Sequence, residues 1–539
     1  MKGLDRRKFI RLGSTGSAVL LSWPFLNACE GLSSKKNESS DPDFEPDLDI
    51  DLTAKESQIP LFQGSSTKVW MFETKINTGA DDAIQQLNDS YFGPTLRVRK
   101  GQKVRIRFKN QLPEKSIVHW HGMHVPEEYD GHPKDVIENG ETYIYEFEIM
   151  NRAGTYWFHP HPHGRTGPQV YNGLAGMLIV TDDEEERLNL PKGEFDIPVV
   201  IQDRAFDQEN QLLYLNRGRM DKMMGFLGNQ IFINGKPEKN LNLKAVATYR
   251  LRFLNASNSR FYKLGWSDGT PLTVIGMDGS LLEKPRSVPY IMLGVAERVD
   301  IWLDLKDMPK GTELTLKSLP FSAGMMNTGM MGNMGTTLPL GSEYDVLKIT
   351  LDTLGNNNIE LPEKLLTLNK IDPSEAINKN NPRTFKFFMR RMQWTINGRT
   401  WEETGIVDEE TVKLNTTEIW QLVNSGGGMM GDGGMMGGKG MMGNGGMMKG
   451  GMMQMPHPIH IHQVQFNILE RDVSDMDPDV WNSVKEGFID DGWQDTVLLM
   501  PGMKIKIIMR FENFKGLFLY HCHNLEHEDM GMMRNYKIE

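Results

Sequence analysis

The sequence predicts an all-β protein assembled from three copies of one β-domain. Val104, Ile106 and Phe108 alternate with Arg105, Arg107 and Lys109, the period of two that marks a half-buried strand, and the run stops at Asn110. Tyr249-Arg250-Leu251-Arg252-Phe253-Leu254-Asn255 repeats the pattern, and Ile419-Trp420-Gln421-Leu422-Val423-Asn424 repeats it more loosely. The terminal asparagines are 145 and 169 residues apart, and a second marker, Ile-Asn-Gly at 233–235 and 396–398, precedes two of them. Recurrence at this spacing is the signature of a duplicated unit. With 54 glycines, 27 prolines and 39 % apolar residues among 539, the composition suits a protein of many turns.

Asp5-Arg6-Arg7-Lys8-Phe9-Ile10-Arg11 resembles a twin-arginine export signal. The apolar stretch behind it, broken by Gly16 and Pro24, is too short to span a bilayer. Leu26-Asn27-Ala28-Cys29 resembles a lipoprotein cleavage box, which predicts an exported periplasmic or envelope protein with a lipid on Cys29. Residues 29–58, rich in Ser, Asp and Glu, read as a flexible tether. The three domains are expected at 59–187, 188–355 and 356–539. Residues 426–455, almost entirely Gly and Met, form an insert too glycine-rich for a stable helix or strand. Residues 1–28 carry a net +4, leaving −15 for the rest of a chain whose total is −11. That acidic balance argues against nucleic-acid binding. With only Cys29 and Cys522 present, each with a better use, no disulfide is expected, and the protein reads as a monomer.

The densest chemistry lies in the last twenty residues. Cys522, His527 and Met532, joined by His457 from upstream, make the Cys-His-His set with a weak axial methionine that binds a blue copper. Eight of the thirteen histidines fall in four His-x-His pairs: His119/His121, His159/His161, His460/His462 and His521/His523. Residues i and i+2 of a strand share a face, so each pair presents two imidazoles to one site. Eight nitrogen ligands exceed the needs of one metal and fit a cluster of three coppers. In an extended His521-Cys522-His523 the thiol points away from its neighbours, placing one copper a few covalent bonds from the cluster. His124, His132 and His163 are left for structural or surface roles.

His119-Trp120-His121-Gly122, Trp157-Phe158-His159-Pro160-His161, His457-Pro458-Ile459-His460-Ile461-His462 and His521-Cys522-His523 resemble, in order, the four copper motifs of the multicopper oxidases. Gly173-Leu174-Ala175-Gly176 and the run from Glu526 to Met533 are most similar to the bacterial copper efflux oxidases. The resemblance implies three cupredoxin-like Greek-key β-sandwich domains and four copper ions. It gives the type 1 copper to His457, Cys522, His527 and Met532, and the type 2 copper to His119 and His460. The type 3 pair falls to His121, His159, His161, His462, His521 and His523. Asp130 and Glu528 match the family's proton-relaying acids, and reduction of dioxygen to water does consume four protons.

The implied reaction couples oxidation of Cu(I) to reduction of dioxygen, in copper tolerance. Laccase-like oxidation of phenols, aromatic amines or Fe(II) is the alternative. A non-catalytic envelope protein of the same fold is a remote third reading, because the ligand positions are intact. Thioethers are soft ligands that favour Cu(I). The Met-Met pairs of the insert, Met447, Met448, Met453 and Met455 above all, are therefore the candidate substrate-copper ligands. In copper efflux oxidases the methionine insert lies early in the third domain, whereas here it directly precedes His457.

Overall fold

The computed structural model describes residues 40–324, 338–424 and 454–539. The export signal, Cys29, and Met447, Met448 and Met453 lie outside the described residues. So do most of the glycine–methionine insert and 325–337.

Among the described residues, six sheets form three pairs in chain order. Domain 1 joins the sheet Thr67–Thr78, Leu48–Ile59, Lys103–Gln111, Thr142–Glu148 to the sheet Ile84–Gln85, Thr95–Arg99, Gly176–Thr181, Gly154–Pro160, Val118–His121. Leu52, Phe108, Tyr145, Trp120, Phe158 and Leu178 fill the space between them. Domain 2 is built likewise from strands between Asp196 and Leu354, and domain 3 from strands between Arg383 and Ile538.

The recurrent strands occupy the same place in each domain. Lys103–Gln111, Thr248–Asn255 and Thr416–Asn424 each run parallel to the first long strand of their domain and antiparallel to a later one. Their terminal asparagines close the strand end. Asn110 Nδ2 donates to the Ile137 carbonyl at 3.0 Å, Asn255 to Leu293 at 3.2 Å and Asn424 to Leu499 at 3.1 Å. The Asn-Gly markers are hairpin turns with both residues at positive φ (52° and 70°, then 51° and 78°), the pattern of a type I′ turn.

One expectation is corrected. The tether does not extend to residue 58, because Leu48–Ile59 is a strand of domain 1, antiparallel to Thr67–Thr78 and parallel to Lys103–Gln111. Leu48, Ile50, Leu52 and Ala54 are buried. Asp49 between them pairs with Arg107 and, at 3.5 Å, with Arg105. The acidic positions that made this segment read as solvated are therefore the ionic partners of the basic positions one strand away.

Candidate metal centre

The sheet registers assemble the histidines. Val118–His121 pairs with Gly154–Pro160 so that His119 opposes His159. In domain 3, His457–Ile461 pairs with Gly516–Cys522, placing His460 opposite His521 and Ile459 opposite Cys522. The domain 1 and domain 3 faces then meet. His121 stacks on His460 with centroids 3.6 Å apart, and His119 stacks on His462 at 3.7 Å. All eight imidazoles are fully buried.

Their ring nitrogens converge. Nε2 of His521 lies 3.1 Å from Nε2 of His462 and 3.4 Å from Nε2 of His161. His119 and His460 face each other through Nε2 at 3.3 Å, as do His159 and His523. The opposite nitrogens hold outward partners: His462 Nδ1 bonds to Asp130 at 2.8 Å, His119 Nδ1 to the Asp130 carbonyl at 2.6 Å, and His159 Nδ1 to the Pro160 carbonyl at 2.9 Å. An outward N–H fixes the tautomer and leaves a lone pair pointing inward. Several lone pairs facing one another in a dry space repel unless a cation lies between them, so the residues fit metal ions.

Electrostatics agree. Burial, reinforced by the neighbouring rings, pushes His119, His121, His460, His462 and His523 well below the usual imidazole value. Burial chiefly holds His159 at about 4 and His161 at about 3. These rings are neutral at pH 7 and ready to ligate.

Cys522 points to the other side of its strand, as an extended His-Cys-His requires. His457 Nδ1 lies 3.3 Å from Cys522 Sγ and His527 Nδ1 lies 3.7 Å from it. Met532 is fully buried, and its carbonyl accepts from the Cys522 amide at 3.1 Å. Burial pushes the thiol of Cys522 up, so a bound metal has to displace its proton. Burial alone holds His457 at about 3.

The two candidate acids flank the cluster in opposite states. Burial drives the Asp130 carboxyl well above the usual range. Burial also acts to raise Glu528, but His161 and His521 outweigh it and hold that carboxyl at about 2. Glu528 lies 3.2 Å from His521 Nδ1 and 3.6 Å from His161 Nε2.

His124 is tied to the Gln463 carbonyl at 2.9 Å, His132 bonds to Asn535 at 2.9 Å, and exposed His163 stacks on Trp401. None of the three joins a group of metal-competent side chains among the described residues. Met455 is buried in the domain 3 core, 2 % exposed, and its carbonyl accepts from Asn424. Its surroundings give it a packing role.

Sequence reasoning missed the cover of the thiolate site. The short helix Arg219–Met224 of domain 2 sits over it. The Met223 carbonyl accepts from His527 Nε2 at 3.1 Å and from Trp394 Nε1 at 2.9 Å. The Trp394 ring packs 4.9 Å from His457 and 4.6 Å from His527. The Met-Met pair at 223–224 was visible in the chain, but no motif linked it to residues 300 positions away. Asp495 was missed as well, and its carboxylate lies 3.0 Å from His121 Nε2.

A cysteine–histidine pocket joined through one strand to a buried eight-histidine cluster has the donor set of a redox metalloprotein. Family models described as multicopper oxidase match residues 68–185, 202–312 and 376–539. The multicopper oxidase mco of Staphylococcus aureus is 30% identical over 451 residues, covering 84% of this chain and 83% of that one. The McoA multicopper oxidase of the hyperthermophile Aquifex aeolicus has a similar structure, with a TM-score of 0.72 and 31% identity over 92% of this chain and 97% of its own. The multicopper oxidase of Campylobacter jejuni, described as a metallo-oxidase, gives 0.69 and 26% over 93% of each. This chain belongs to the multicopper oxidase family, and is an oxidoreductase of three cupredoxin-like domains.

Proposed function

We propose that this protein oxidises Cu(I) to Cu(II) and passes the electrons to dioxygen, forming water, in defence against copper. Four coppers would serve: one at His457, Cys522, His527 and Met532, one at His119 and His460, and two among the remaining six cluster histidines. Bound copper supplies one-electron acceptance at the thiolate site and four-electron reduction of dioxygen at the cluster. The chain's own residues supply the rest. Cys522 and its flanking imidazoles give a covalent path between the two sites. Asp130 holds a proton at its carboxyl beside His462 and His119, and Glu528 is the ionised acceptor beside His521 and His161.

The observation that carries the Cu(I) reading is the helix Arg219–Met224. Met220 and Met224 are half-buried, and at i and i+4 they share one helix face. Between them lies Met223, whose carbonyl holds the outer nitrogen of His527. Two soft thioethers one turn apart, on the element that touches the electron-accepting histidine, suit Cu(I) rather than a phenol. The metallo-oxidase of C. jejuni accords with this reading. The sequence further supports export by the twin-arginine route with a lipid on Cys29, and we propose that the protein acts as a monomer.

Steady-state oxygen uptake by the Met220→Leu/Met224→Leu variant tests the reading. The expected result is a KM for Cu(I) raised at least tenfold, with phenol oxidation unchanged. Equal effects on both donors would assign the helix a covering role and favour a laccase-like enzyme.

A further inference from the structure

Domain 2 supplies none of the histidines or the thiol of the metal centre, yet one of its arginines reaches the cluster. Arg298 is fully buried and donates to Asp495 through both terminal nitrogens, Nη1 to Oδ1 at 2.7 Å and Nη2 to Oδ2 at 2.5 Å. Its Nε donates to the Thr155 carbonyl of domain 1 at 2.9 Å. Asp278, also of domain 2, accepts from the backbone amides of Asp495 and Thr496 at 3.3 Å each, and from the Arg298 amide at 2.9 Å. Arg298 therefore binds all three domains at one point.

Asp495 in turn holds two imidazoles. Its Oδ1 lies 3.0 Å from His121 Nε2, and its carbonyl accepts from His460 Nδ1 at 2.8 Å. Thr496 Oγ1 is also 3.0 Å from His121 Nε2, while its own proton goes to Asp495 at 2.9 Å. A carboxylate clamped in this way can only accept, so His121 must carry its proton on Nε2. Nδ1 of His121, buried and without a hydrogen-bond partner, is left as the lone pair for metal. The space is committed to this contact: a Cβ on Gly122, at φ +83°, would meet Asp495 Oδ2 at 2.3 Å. The glycine of the His-Trp-His-Gly motif is required by Asp495, a residue of another domain.

We infer that Asp495, clamped by Arg298, is the positioning residue that sets the tautomer of His121 and the orientation of His460. Copper loading of the cluster then depends on the Arg298–Asp495 contact with domain 2, and loading of the thiolate site does not depend on that contact. The inference rests on the reading of the cluster as a copper site.

Asp495→Asn tests it by copper titration of the apoprotein, followed by optical and electron paramagnetic resonance spectra. The amide oxygen at the Oδ2 position keeps the bond from Arg298 Nη2, while the NH2 at the Oδ1 position gives up the bond from Nη1, faces His121, reverses the tautomer and puts a proton on Nδ1. Outer partners of metal-bound histidines typically change metal affinity 10–100-fold. The expected result is a cluster affinity lower by about that factor, a blue thiolate band of unchanged intensity, and a new resonance from copper that has lost its coupled partner. Parallel loss of the blue band would mean a merely structural role and overturn the inference, as would wild-type affinity with an unchanged resonance. Should Asp495→Asn fail to fold, Arg298→Lys, which keeps the charge and removes the fork, must show the same selective loss. Failure of the copper reading itself is distinguishable, because the wild type would then take up no copper.

Discussion

Asp130 and Glu528 are linked across the cluster by two imidazoles. Asp130 receives His462 Nδ1 at 2.8 Å, Glu528 stands 3.2 Å from His521 Nδ1, and the Nε2 atoms of those rings meet at 3.1 Å. One acid is driven up by burial and the other is held at about 2 by its histidines. Carboxyl groups forced apart in this way divide donor and acceptor roles.

Asp130→Asn and Glu528→Gln are each expected to lower oxygen turnover by about 10²-fold, the scale of a lost proton-transfer group. The blue band and its rate of reduction by donor should not change, since neither residue touches Cys522. Stopped-flow reduction followed by reoxidation with oxygen separates the half-reactions. A defect confined to the reductive half would contradict the assignment.

Cys522→Ser removes the thiolate while preserving size in a fully buried site. The variant should fold, lose its blue colour and lose turnover with every donor. Circular dichroism and oxygen uptake check this, and retained oxidase activity would remove the electron-entry assignment.

Glu297 gives a stability prediction. It is 5 % exposed, accepts from the amides of Gly294 at 2.6 Å and Leu498 at 3.0 Å, and burial raises it to about 7 from 4.5. The folded state holds this proton more tightly than the unfolded chain does. The contribution is therefore fully present below pH 4.5 and is lost as pH rises through 7, by up to ~3 kcal/mol. Glu297→Gln should flatten that part of the stability profile of the apoprotein. Denaturant unfolding at pH 4.5 and pH 8 measures the difference, and identical slopes for both proteins would contradict it.

Leu52→Ala tests the strand that replaces the expected tether. Leu52 is fully buried between the domain 1 sheets, so the cavity should cost roughly 2–5 kcal/mol. A change below about 0.5 kcal/mol, as at a solvated site, would restore the tether reading.

The His-x-His pairs were legible because strand periodicity alone places i and i+2 on one face, and His521-Cys522-His523 was legible for the complementary reason. The repeats were readable through Asn110, Asn255 and Asn424, whose side chains seal equivalent strand ends. Leu48–Ile59 was misread because Asp49 and Asp51 outweighed an alternation that was present, their partners Arg105 and Arg107 lying on another strand. Arg298, Asp495 and Trp394 gave no sign, since single polar or aromatic residues acquire their roles only from packing between domains. Met223 acts through its carbonyl, which no side-chain pattern encodes.

Oxygen uptake by the copper-loaded protein, with Cu(I) and a phenolic donor supplied separately at matched low concentrations, decides between a cuprous oxidase and a laccase-like enzyme. A clear preference for Cu(I) is expected, with four Cu(I) consumed per dioxygen and no peroxide released. A preference for the phenol, or peroxide as the product, would contradict it.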